Sequence, residues 1–288
     1  MLNPVWDDWL PKYGSARNMS VLQFTNFFLY IIAGALFAAV CLPRYATQRS
    51  MLLIIAFATG LTGLLWHTWI LWVAIAVPDG IVLSIGNAAS FIGLLLAITG
   101  LMGAADKSLR GLAGGLFVLA AVAALLTSHP ATSELAAPMT WQIQSHILIS
   151  LLAYGLLTVG VIVALYALAQ ERRLQAGKFS ELNQLFAPLE TTERLLFGIT
   201  TAGFLVLLIA VSTGVAFVDD LFAQHLVHKT ALSILALVLF GALLIARWLV
   251  GWRGKRAIYL YLWGFLFLCL AYFGSRFVLE EVLGRSWS

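Results

Sequence analysis

SHILISLLAYGLLTVGVIVALYALAQERRLQ, residues 145–175, decides the fold. Between His146 and Gln170 it holds 23 consecutive uncharged residues. As a helix rising 1.5 Å per residue, such a run is about 35 Å long and crosses roughly 30 Å of hydrocarbon. A strand of a membrane barrel would instead alternate apolar and polar residues over about 10 positions. Similar runs lie near 22–42, 51–76, 81–102, 109–127, 195–217, 230–249 and 258–280. The expected fold is therefore all-α, an integral membrane bundle of about eight transmembrane helices.

Composition agrees. With 61% hydrophobic and 10% charged residues in 288, the chain has too little polar surface to clothe a water-soluble globule of its size. Its net charge of +4 sits in short loops, which is a topology signal and not a nucleic-acid footprint. If the first span runs inward, the inner loops hold Arg44, Arg49, Lys107, Arg110, Arg172, Arg173, Lys178, Arg194, Arg247, Arg253, Lys255 and Arg256. The outer side keeps Lys12, Arg17, Lys229, Arg276 and Arg285, so 12 of the 17 basic residues are inside. That bias puts both termini on the outer, periplasmic side.

Residues 1–288 are expected to form a single polytopic membrane domain. The first 20 residues carry Pro, Asp and Lys in place of a basic start and an apolar stretch, so no cleaved signal is expected. Trp6 and Trp9 in this outer segment suit a headgroup layer. The inner loop 170–194 spaces Leu182, Leu185, Phe186 and Leu189 as an amphipathic helix would, suited to the membrane surface. Cys41 and Cys269 fall in apolar stretches and are expected to pack, without a disulfide. Gly60, Gly63, Gly100, Gly103, Gly155 and Gly160 lie within spans, where small residues let helices approach closely.

Ionisable residues inside a membrane are costly, which makes the few present the first places to look for function. His67 lies in WHTWILW, beside Trp66 and Trp69, in the outer half of the second span. A histidine there serves either as a ligand or as a residue bonded to a neighbouring backbone carbonyl or lying at the interface. His146 opens the fifth span near its outer end. His225 and His228, in the expected outer loop 218–229, are three apart and near Asp219 and Asp220. Two such imidazoles can ligate a metal, but a catalytic zinc site usually needs a third rigid ligand. No Ser/His/Asp set, CxxC, HExxH or paired intramembrane carboxylate is present.

Taken with APLETTERLLFGITTAGFLVLLIAVSTG (187–214), HKTALSILALVLFGALLIARWLVGWRGKRA (228–257) and GFLFLCLAYFGSRFVLE (264–280), the opening stretch resembles the cytochrome c assembly family of membrane proteins, the CcsA and CcmC type. The likeness is greatest to its YpjD-like branch. It implies a multi-pass protein of the bacterial inner membrane. Haem-handling members of the family hold haem with histidines near the outer face and within the spans, beneath a Trp-rich outer loop ending in Asp-Pro-Lys. By this resemblance His67 corresponds to one histidine of the intramembrane site, and His146 to one of the outer site. Lys229 and Arg276 would face haem propionates, and Trp141, before the fifth span, would cover the macrocycle.

The departures are equally specific. Before Lys229 the chain reads FVDDLFAQHLVHK, without tryptophan. Leu244, Ile245, Ala246 and Arg247 stand where Leu-His-x-Arg is the family pattern, and GSRFVLEEVLG lacks the final histidine. Each haem site thus keeps one of two ligands. Haem iron can be held by one histidine, and His225 or His228 would be the outer replacement. The losses count against a synthase. They leave a haem-binding or haem-transferring protein, with membrane lipids and haem as partners. The alternative is a non-catalytic scaffold that meets another membrane protein through its inner loops. No nucleic acid is implied.

Overall fold

In hydrocarbon each backbone N–H and C=O must be satisfied within its own segment, so the apolar runs have little choice but to be helices. The computed structural model describes residues 16–77, 80, 81, 84–128, 140–175, 187–217 and 224–271, with side chains at 20–76, 84–128, 140–175, 187–216 and 230–271. Eight α-helices appear among these residues: α1 (Ala16–Val40), α2 (Arg49–Ile75), α3 (Ile85–Gly103), α4 (Arg110–Ala124), α5 (Trp141–Gln175), α6 (Leu189–Phe217), α7 (Gln224–Val250) and α8 (Lys255–Cys269). Seven of the described helical segments are long and apolar enough to cross a membrane. Every expected span has its helix, and the all-α class stands.

The boundaries differ in instructive places. α5 begins at Trp141 and runs to Gln175, so residues 170–175 of the expected inner loop continue a membrane helix. Leu189–Arg194 begin α6, while Leu182, Leu185 and Phe186 lie outside the described residues. α7 begins at Gln224, so the backbone of His225, His228 and Lys229 is helical and not part of a loop. Between α2 and α3 a ladder pairs Ala76 with Ile81 and Val77 with Gly80. It is too short to change the class. Gly251 and Gly254, at φ of 70° and 64°, turn α7 into α8 in a backbone region that favours glycine.

The chain divides into two compact units, one holding α1–α4 and the other α5–α8. Each is a closed ring. In the first, α1 packs on α2, α2 on α3, α3 on α4 and α4 back on α1. In the second, α5, α6, α7 and α8 close in the same way. Outward faces carry large apolar side chains, as Phe24, Phe28 and Ile32 do one turn apart on α1. Such faces suit lipid, a solvent as apolar as they are.

Small residues set the ring spacing, as anticipated for part of the glycine set. In the first unit Phe117 is fully buried, stacked on Phe37 at 5.6 Å and edge-on to Tyr30 at 5.5 Å. Gly60 and Gly100 make room for its ring, since a Cβ on them would come within 3.0 and 3.3 Å of it. In the second unit Tyr261 donates to the Leu157 carbonyl at 2.6 Å and fills the space a Cβ on Gly160 would need. Cys41 and Cys269 are free thiols, as expected. Just beyond α1, burial pushes the Cys41 thiol up against the pull of Arg110 and Arg49.

Candidate functional site

His67 and His146 belong to different units, and each has its own surroundings. His67 is fully buried. Its Nδ1 lies 3.2 Å from the Tyr30 hydroxyl and its Nε2 2.8 Å from Ser90 Oγ. Ser90 Oγ is in turn 2.7 Å from Thr127 Oγ1, which donates to the Ala124 carbonyl at 2.8 Å.

Proton positions follow from the end of this chain, because a carbonyl only accepts. Thr127 gives its one proton to Ala124, so it accepts from Ser90. Ser90 then accepts from His67 Nε2–H, and His67 Nδ1 accepts from Tyr30. The chain links α1, α2 and α3 to the residues just after α4, and so touches every helix of its ring. Nearby, Gln23 Nε2 donates to the Thr127 carbonyl at 2.7 Å, and the Asn87 amide bridges the Ala74 carbonyl and the Ser128 N–H. To hold iron, His67 would have to give up Tyr30 at Nδ1 or Ser90 at Nε2. It is buried, and its partners are side-chain hydroxyls of other helices instead of a neighbouring backbone carbonyl.

His146 is placed differently. It stands on the second turn of α5, half-buried, with Nδ1 3.1 Å from Thr213 Oγ1 on α6. Thr213 Oγ1 also donates to the Ala210 carbonyl at 2.9 Å. Next to it, Gly214 leaves space for the imidazole: a Cβ there would lie 3.0 Å from Cε1. One turn before His146, on the same helix face, Gln142 keeps a buried Oε1 without a hydrogen-bond partner. A half-turn of that amide exchanges its oxygen for its donor nitrogen. The position therefore suits a ligand with polar groups.

These features fit an iron-bearing macrocycle. A histidine that ligates a metal through one nitrogen ordinarily has its other N–H held by an acceptor. Thr213 Oγ1, 3.1 Å from Nδ1, stands where such an acceptor would. Neither Thr213 nor Gly214 was legible as a site residue, because their link to His146 spans 67 positions between helices and obeys no local spacing. Trp141 is the first residue of α5 and 69% exposed. Five positions from His146, it projects about 140° around the helix from it.

The side chains of Lys229, His225 and His228, and all of Arg276, lie outside the described residues. Among the described residues no three His, Cys, Asp or Glu side chains gather as a metal site would require.

The opposite end of the second unit is stitched differently. Glu193, buried on α6, accepts the Gly254 N–H at 2.8 Å and so caps the start of α8. Lys255 lies 3.6 Å from Glu171 on α5, and Arg247 donates to the Trp252 carbonyl at 3.1 Å. Arg253 and Arg256 on this turn remain exposed.

The profile of the family described as Cytochrome C assembly protein matches residues 55–283. An uncharacterised 28.8 kDa protein from the nifR3-like 5′ region of Azospirillum brasilense is 32% identical over 225 residues, covering 76% of this chain and 78% of that one. The inner membrane protein YpjD of Escherichia coli K12 is 34% identical over 137 residues, covering 48% of this chain and 52% of YpjD. No solved structure matches the chain.

Proposed function

We propose, from the premise that this chain belongs to the cytochrome c assembly family, that it binds or transfers haem through His146. The chain is a multi-pass protein of a bacterial inner membrane. Haem would supply an open coordination position on its iron for an imidazole. His146 offers that imidazole at the end of α5 where the helix begins, held against α6 by Thr213 and seated in the gap at Gly214. That seat is the observation carrying the proposal.

Gln142 would meet a propionate with its amide, and Lys229 and Arg276, by their sequence positions, would supply cations on the same outer side. The second axial ligand in this proposal comes from His225 or His228, whose side chains lie outside the described residues. His67 we assign to the hydrogen-bonded chain that locks the first unit. In this proposal both termini lie on the outer side, the orientation that the distribution of basic residues favours. Covalent attachment to an apocytochrome is not part of the proposal, since the Trp-rich loop is missing from this sequence.

The test is an absorption titration of purified protein with haem in lipid nanodiscs. Wild type should show saturable binding with a Soret band, and His146→Ala should remove or strongly shift it while leaving the helical content unchanged. Wild-type protein without saturable binding would defeat the proposal.

A second proposal, a non-catalytic scaffold that meets a partner on the inner face, is favoured by one observation. The Gly251–Lys255 turn is fixed by Glu193 and Glu171 yet leaves Arg253 and Arg256 exposed. A rigid turn bearing free cations suits a partner's acidic surface. Arg253→Gln with Arg256→Gln should then weaken co-purification of that partner without changing haem binding.

A further inference from the structure

We infer that Asn26 is a water-binding residue, holding an enclosed water molecule against the Tyr30 end of the His67 hydrogen-bonded chain, inside the first unit. The inference does not rest on the haem proposal.

Its starting point is a buried side chain whose polar atoms have nothing to bond. Asn26 on α1 is fully buried, and neither its amide nitrogen nor its amide oxygen has a hydrogen-bond partner. Among the described residues no other side chain keeps two such atoms. Gln23, Asn26 and Tyr30 are three and four positions apart, so they share one face of α1. Gln23 reaches the Thr127 carbonyl and Tyr30 reaches His67, which puts Asn26 between two points of the polar chain. Its amide lies close enough to the Tyr30 hydroxyl to act on it, but is not aligned as a hydrogen bond.

Proton counting says what kind of molecule fits. Tyr30 gives its proton to His67 Nδ1, His67 Nε2–H to Ser90, Ser90 to Thr127, and Thr127 to the Ala124 carbonyl. The chain therefore has oxygen lone pairs to spare and no spare donor. A turn of the Asn26 side chain could aim Nδ2–H at the Tyr30 oxygen, yet Oδ1 would still have no proton to accept. A metal cation would satisfy Oδ1 alone, and an anion Nδ2 alone. Water serves both: it accepts from Nδ2–H, donates one proton to Oδ1 and has a second for the Tyr30 oxygen.

Magnitudes favour the water. Each buried polar group left unpaired weakens the folding equilibrium by roughly 5-fold to 150-fold, and hydrocarbon outside the ring offers no partner. Fixing one water costs at most about 30-fold. Two unpaired groups on one side chain outweigh that over most of the range.

The experiment is hydroxyl-radical footprinting of the full chain in nanodiscs, with radicals generated by X-rays and modification read by mass spectrometry. Radicals formed from a bound water modify the side chains beside it, even where bulk water does not reach. Tyr30 and Tyr261 are both fully buried, and Tyr261 donates its proton to the Leu157 carbonyl at 2.6 Å, which makes it the internal reference. In wild type Tyr30 should be hydroxylated and Tyr261 left unmodified. Asn26→Leu, close in size and without polar atoms, should bring Tyr30 down to the level of Tyr261.

A wild-type Tyr30 as unreactive as Tyr261 overturns the inference, and this comparison needs no variant to fold. Equal modification of Tyr30 in wild type and Asn26→Leu also overturns it, because the water would then be held without the amide.

Discussion

Gly34 on α1 and Gly114 on α4 face each other so closely that a Cβ on either would come within 2.9 Å of the other's carbonyl oxygen. Backbone cannot yield as a flexible side chain does, so the crossing of these helices depends on both residues staying small. Gly34→Ala or Gly114→Ala should each destabilise the first unit by about 1 to 3 kcal/mol, the usual cost of overpacking. The neighbouring Gly115 has nothing within 4 Å of its Cβ position, and Gly115→Ala should stay within about 0.5 kcal/mol of wild type. Unfolding midpoints in detergent compare the three directly. Equal effects at Gly114 and Gly115 would contradict the crossing.

The hydrogen-bonded chain through His67 should behave as one unit. Ser90→Ala leaves His67 Nε2–H buried without its acceptor, and the expected loss is about 1 to 3 kcal/mol. That exceeds the roughly 0.6 kcal/mol average for an interhelical hydrogen bond in a membrane. The double change Ser90→Ala with Thr127→Val should cost less than the sum of the single changes, because both cut the same chain. Additive losses would mean that the links act separately. Haem affinity should be unchanged throughout.

At Gly214 the expected effect is on the ligand and not on folding. The Cβ of Gly214→Ala would press on Cε1 of His146 at 3.0 Å and tilt the ring off its preferred rotamer. Such a displacement costs about 0.5 to 1.5 kcal/mol, equivalent to roughly 2-fold to 12-fold in haem affinity. The absorption titration should show that weakening with an unchanged unfolding midpoint. Tighter binding in the variant would show that the imidazole does not need the gap.

Orientation in the membrane is open to a simple assay. Reporter domains active only in the cytoplasm should work when fused after Gly177 and stay silent after Ser288, as the basic-residue bias requires. The reverse pattern would invert the topology and move His146 to the cytoplasmic side, where an outer haem site has no meaning.

Hydropathy by itself determined that this chain is a bundle of about eight membrane helices and where each one runs. The reason is local. A segment in hydrocarbon satisfies its own backbone, so the length and polarity of each run suffice. Residue order likewise carried the family, which the profile match over residues 55–283 then established. The ends of helices were less legible, because α5 and α7 start within segments whose polar residues look like loop.

Tertiary structure alone decided what each histidine touches. His67 and His146 looked equivalent along the chain, each a polar residue within or beside an apolar run. One turned out to be enclosed by Tyr30 and Ser90, and the other to rest on Thr213 and Gly214. Partners separated by 23 to 67 positions are brought together by helix packing, and their spacing in sequence obeys no helical period.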